Sequence, residues 1–112
     1  MKLVTDVYDL TANLPSEEKY GLCSQMQRAA VAIPCNIAEG HLRRHRKEFL
    51  QFTSIALGSA GELETQVLIC QSLEKISQEK ATPILQKIDE IKKMLYAFSW
   101  KLEQTSPKAT SR

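Results

Sequence analysis

The sequence has little of what divides, staples or anchors a chain. Four glycines and four prolines in 112 residues leave few breaks, and the length suits one compact domain rather than two. Three cysteines, Cys23, Cys35 and Cys70, are odd in number and form no C-x-x-C pair, so neither a disulfide framework nor a zinc site is indicated. They read as reduced, mostly buried small hydrophobes. Long apolar runs are missing too. "AAVAIPC" is far too short to cross a bilayer, and "MKLVTDVYDL" is interrupted by Asp6 and Asp9 where a signal peptide would be continuous. A protein of the cytoplasm with no membrane contact is expected. There is no internal repeat, no low-complexity tract and no alternating pattern that would make a strand.

What is present is helical periodicity. Leu3, Val4, Val7, Leu10 and Leu14 form one stripe, ended by Pro15 and the turn "PSEEKYG". A second stripe runs through Leu22, Met26, Ala29, Ala30, Ile33 and Ile37, with Gly40 where a left-handed C-terminal cap is expected. The third helix spans about Arg46 to Leu73: Phe49, Phe52, Ala56, Leu63 and Val67 share a stripe, while Leu50, Leu57 and Leu68 lie partly off it. Ser77 and Thr82 compete to cap the fourth, with Pro83 suited to the first position after Thr82. Its stripe is Ile84, Ile88, Ile91, Leu95, Phe98 and Leu102. Four amphipathic helices with short connections can bury their stripes only on one another. The expected fold is therefore an all-α, antiparallel up-down-up-down four-helix bundle over residues 1–104, with "TSPKATSR" at 105–112 as a flexible tail.

Charge is distributed unevenly. The formal net charge is +2, and residues 43–47, "RRHRK", hold four Lys/Arg and no acid. The remainder of the chain is slightly acidic. Arg43, Arg44, His45, Arg46 and Lys47 read either as a solvated loop or as a phosphate-binding junction. Cations in a first helical turn oppose the dipole by roughly 0.3–1 kcal/mol each. A phosphate on the open N–H groups reverses that balance. No aromatic residue interrupts the cluster, which gives no support for base stacking. Just upstream, Pro34 interrupts the second helix, freeing the Ala30 carbonyl with Asn36 as a local compensator, and is expected to kink it.

Helix three also contains "ALGSAGELE", in which Ala56, Gly58, Ser59, Ala60 and Gly61 are all small. Glycines inside a helix cost roughly 1 kcal/mol each relative to alanine. The compensation is either a subunit contact or tight packing within the monomer. Arg28, Glu39, Glu62 and Glu64 lie near apolar stripes and are expected to form ion pairs between helices or subunits. Catalytic chemistry finds no foothold. No Glu-x-x-His pair is present for a di-metal bundle, and Glu62 and Glu64 cannot share a helix face. His41 and His45 stand four apart, but Gly40 and the dense charge there suggest an irregular segment rather than a metal site. No cofactor, metal or enzymatic activity is expected.

Two stretches, "EEKYGLCSQMQRAAVAIPCNIAEG" and "RRHRKEFLQFTSIALGSAGELETQ", resemble the 23S rRNA-intervening sequence proteins. That four-helix-bundle family has a pattern close to K-Y-G-L-x-x-Q-x-x-R-A-A-x-S-I-P-x-N-I-A-E-G, then K-E-F, then A-x-G-S-x-x-E-L-E-T-Q. The likeness is dense over residues 17–67. The chain departs from the pattern in three ways: it lacks the longer, tryptophan-bearing first helix, it has His45 where serine is frequent, and Ala32 replaces a serine. The family is similar in fold to the accessory variability determinant proteins of diversity-generating retroelements. The resemblance implies a non-catalytic, ring-forming homopentamer, with RNA or DNA, or a protein such as a reverse transcriptase, as partner. The competing reading is a structural scaffold for a protein partner with no nucleic-acid role.

Overall fold

The computed structural model describes residues 2–14 and 21–104, with side chains as far as Lys101. The tail expected at 105–112, and most of the turn expected at 15–21, lie outside the described residues. Four helices make up the architecture: α1 (Lys2–Ala12), α2 (Leu22–Leu42), α3 (Arg46–Ser72) and α4 (Gln78–Gln104). Each packs on the helices before and after it in the cycle α1, α2, α3, α4, which is the neighbour pattern of an up-down-up-down bundle. No strand occurs among the described residues.

The periodic stripes become the core. Leu3, Val7 and Leu10 of α1 meet Met26, Ala30 and Ile33 of α2, Leu63, Val67 and Cys70 of α3, and Ile84 and Ile88 of α4, all buried in one cluster. Full burial of a side chain of this size is worth about 1.5–3 kcal/mol each, so this cluster carries the fold. The α4 stripe departs from expectation at its far end. Leu95 is buried, but Phe98 is 39% exposed. The reason is length. Lys2 of α1 stands beside Lys87, Glu90 and Ile91, and the described part of α1 covers only the first half of α4.

Several local expectations are settled by the structure. Gly40 is not a left-handed cap: no glycine among the described residues has positive φ, and α2 continues through it to Leu42. Its missing side chain instead lets α2 approach α3, since a Cβ there would lie 3.2 Å from Phe52 Cβ. The left-handed cap falls on Glu74, at φ 58°. There Lys75 N–H donates to Cys70 O (2.8 Å) and Glu74 N–H to Gln71 O (3.0 Å), closing α3 in a Schellman turn. At α4, Ser77 is the cap rather than Thr82: its Oγ accepts from Lys80 N–H at 3.3 Å and its carbonyl from Ala81 N–H at 3.0 Å. Pro83 therefore sits inside α4. Pro34 likewise lies within an unbroken α2, and Asn36 Nδ2 donates to Ala32 O at 2.8 Å rather than to the Ala30 carbonyl that proline frees.

Candidate nucleic-acid interface

The α2–α3 connection is short because the two helices are already close at Gly40. Arg43 closes α2 in an extended conformation, with its N–H on Gly40 O. Arg44 and His45 complete the connection, and α3 starts at Arg46. His45 occupies the N-cap, but its side chain makes no capping bond. The first-turn N–H groups of α3 are thus left without a side-chain acceptor from the cap, in the environment where an anion is stabilised. His41 belongs to regular α2 and packs edge-on against Phe49, ring centres 5.2 Å apart. It therefore shares no helix face with His45. Among the described residues no group of three or more His, Cys, Asp or Glu side chains is placed to hold a metal.

The five residues of "RRHRK" are all exposed, but they are not equivalent. Arg43 lies over the Phe52 ring, 4.9 Å from its centre, and pairs with Glu39 at 2.9 Å and Glu48 at 3.6 Å. Glu48 also stands in the first turn of α3, where it favours the helix dipole. Arg43 is therefore a structural residue that fastens the end of α2 to the start of α3. Arg44, His45, Arg46 and Lys47 are exposed without any contact to Phe52.

Large apolar side chains are also left exposed, at Leu42 beside the connection and along the second half of α4. Leu42 is 77% exposed, Trp100 66% and Tyr96 59%. Tyr96 and Trp100 lie on the outer side of α4, and the Glu64–Lys92 pair sets them about level with Ala60 and Ala56 of α3 rather than with its start. Their absence from the α4 stripe was the available signal: a helix that buries Ile88 and Leu95 turns positions 96 and 100 outward.

The small residues of α3 divide between two faces. Ala56 and Ala60 are fully buried in the monomer, so they cannot line a subunit contact as expected. Gly58 and Gly61 are different: a Cβ on either would meet nothing within 4 Å. Ser59 is half-buried. Ile55, Gly58, Glu62, Thr65 and Ile69 recur at three and four along the exposed side of α3.

Of the expected ion-pair residues, Glu64 accepts from Lys92 across α3 and α4 at 3.1 Å. The hydrogen bond from Lys92 to Glu64, and then the carboxylate's charge, raise the Lys92 pKa above its ordinary 10.5. Glu39 pairs with Arg43 within the helix end. Glu62 is exposed and only accepts from Gln66 Nε2 at 3.4 Å. Arg28 is exposed and joins no ion pair among the described residues. An inter-helix pair that the sequence did not suggest joins Lys87 to Asp6 and ties α4 to α1.

No helix among the described residues is long and apolar enough to cross a membrane. No curated protein matches the chain. Among solved structures it is similar to a protein of unknown function from the S23 ribosomal protein family of Bacteroides thetaiotaomicron. The TM-score is 0.82 and the identity 26%, over 88% of this chain and 92% of that one. The model of the 23S rRNA-intervening sequence protein family matches residues 1–97. With most of its length matched and all four helices in place, the chain belongs to the 23S rRNA-intervening sequence protein family.

Proposed function

We propose that the protein is a non-catalytic, oligomeric four-helix module of the cytoplasm that binds nucleic acid, RNA above all, at the α2–α3 junction. The observation that carries this reading is the uncapped start of α3, surrounded by exposed Arg44, His45, Arg46 and Lys47. A helix start without a side-chain cap and the exposed cations around it together favour a phosphate. The contacts are to the sugar-phosphate backbone, so binding is tolerant of sequence and falls steeply with salt.

Oligomerisation multiplies that site. The exposed α3 stripe of Ile55, Gly58 and Ile69 supplies a contact in which open glycines admit a neighbouring backbone. By resemblance to its family the assembly is a pentameric ring. Repeated junctions then act together through high effective concentration. The same stripe favours the second reading, a scaffold that docks a protein such as a reverse transcriptase.

Fluorescence anisotropy with a labelled unstructured RNA at several salt concentrations separates the two. The nucleic-acid reading expects tight binding at low salt and a steep loss as salt rises. Substituting Gln for Arg44, Arg46 and Lys47 should weaken binding to all sequences alike. Absence of binding by the wild type at low salt, or unchanged affinity in the variant, leaves the scaffold reading in its place.

A further inference from the structure

We infer that the second half of α4 is a self-association surface, on which α4 of a second copy of this chain packs antiparallel and takes the place that α1 holds over the first half. The contact is distinct from the α3 stripe and does not depend on the nucleic-acid reading.

The ion pair from Lys87 to Asp6 marks the α1 side of α4. From Lys87 that side continues in steps of four, three and four through Ile91 and Met94 to Phe98. The described α1 covers only the start of this row. It begins at Lys2, which borders a cavity of about 320 Å³ together with Leu3, Lys87, Glu90 and Ile91. Past that point α4 runs on to Gln104 and α2 to Leu42. There Met94 is 43% and Phe98 39% exposed, and Ile37 and Ile91, which pack against the core cluster, stay only half-buried. An apolar groove about 15 Å long, at about 1.5 Å per residue from Ile91 to Lys101, is left where a fourth helix would lie.

The pattern along α4 selects a second copy as the occupant. Glu90, Met94, Ala97 and Lys101 follow at four, three and four residues and are all exposed, so one side of the helix carries an acid, two apolar groups and a base in that order. Laid antiparallel on itself, this segment brings Glu90 opposite the partner's Lys101 and Lys101 opposite the partner's Glu90. Met94 then meets the partner's Ala97, large against small. The direction fits the groove, because α1 runs antiparallel to α4: Leu10 lies by Ile84, and Lys2 by Ile91. A twofold axis across α4 satisfies both copies at once and closes the assembly as a dimer. This self-complementary order distinguishes a second copy from an unrelated amphipathic helix.

Sedimentation velocity of the full chain at low salt, over a range of micromolar concentrations, tests the contact. Gly58→Leu, which separates copies joined through α3, should still show a concentration-dependent dimer. Adding Met94→Glu should reduce that dimer to monomer. Charge reversal is the sharper test. In the Gly58→Leu background, Glu90→Lys alone and Lys101→Glu alone should each weaken the dimer about 5- to 50-fold, since each places two like-charged pairs across it. Mixing the two variants should restore it, because both pairs are then of opposite sign. Trp100→Ser, on the outer side of α4, should leave the dimer unchanged, and circular dichroism of every variant should match the wild type. No restoration on mixing, or a dimer that survives Met94→Glu, would show that another surface is used, and the inference falls. A monomer throughout the range leaves the groove to a helix of another chain and also overturns it.

Discussion

The two ends of the bundle are built to different standards. At the end that holds α1, the α3–α4 turn and the first half of α4, four helices surround the core. Leu3, Val7, Met26, Val67, Cys70 and Ile88 are each at most 2% exposed there. An ion pair from Lys87 to Asp6 closes the α1–α4 side. At the opposite end, the described α1 no longer reaches, and Leu42, Phe98 and Trp100 are left in contact with water. One end is closed by an ion pair between α1 and α4, and the other gathers exposed cations at a helix start without a side-chain cap. A bundle this small draws its stability from one end and is free to display chemistry at the other.

Deleting core volume probes this contrast most strongly. Leu63→Ala, at a fully buried site, should cost about 2–5 kcal/mol in urea unfolding. Leu42→Ser, at a position 77% exposed, should stay within about 0.5 kcal/mol. Equal losses at the two sites would abolish the distinction between the ends.

The glycines give a finer test. Gly40→Val places new atoms against Phe52, where even a Cβ would lie at 3.2 Å, and should destabilise by about 1–3 kcal/mol. Gly58→Ala meets no neighbour in the monomer and should stabilise the helix by up to about 1 kcal/mol. The bulkier Gly58→Leu should instead dissociate the proposed assembly while leaving a helical chain, as measured by light scattering. A wild-type monomer at micromolar concentration contradicts the subunit contact altogether.

A smaller gain is expected at the α3–α4 turn. Glu74 adopts the left-handed conformation that glycine accepts without a Cβ penalty. Glu74→Gly should therefore raise stability by about 0.5–1 kcal/mol in the same unfolding assay.

The least effect belongs to Glu64 and Lys92. A double-mutant cycle should return about 0.2–1 kcal/mol, because both side chains retain solvent contact. Folding raises the Lys92 pKa above 10.5. Its contribution is therefore complete below pH 10.5 and disappears as pH rises through the higher folded value. Lys92→Met should remove that alkaline decline, and an unchanged pH profile would show that the pair contributes nothing.

Much of this fold could be read from periodicity, and the departures have physical causes. The stripes through Val7, Ile33, Val67 and Ile88 identified the core because each helix has a single direction in which to bury apolar groups. Gly40 and Glu74 exchange the roles that their residue types suggest. A glycine suggests a left-handed cap, but whether it acts as one or as a point of close approach depends on Phe52, which lies on another helix. The real cap uses a glutamate, whose identity carries no such signal. The basic cluster is visible as composition, but its division is not. Arg43 is withdrawn by Glu39, Glu48 and Phe52, and all three lie outside the segment that holds the excess charge.

The salt dependence of RNA affinity, compared among three proteins, decides whether the basic end is a phosphate-binding surface. Anisotropy is recorded for wild type, for the Arg44→Gln, Lys47→Gln double variant and for Arg43→Gln, and log affinity is plotted against log salt. The double variant should show a shallower slope, by about 0.7 for each single-strand phosphate that the protein no longer neutralises. Arg43→Gln should keep the wild-type slope, since Arg43 is engaged with Glu39, Glu48 and Phe52. Identical slopes for wild type and the double variant would contradict the assignment and return "RRHRK" to a solvated connection between two helices.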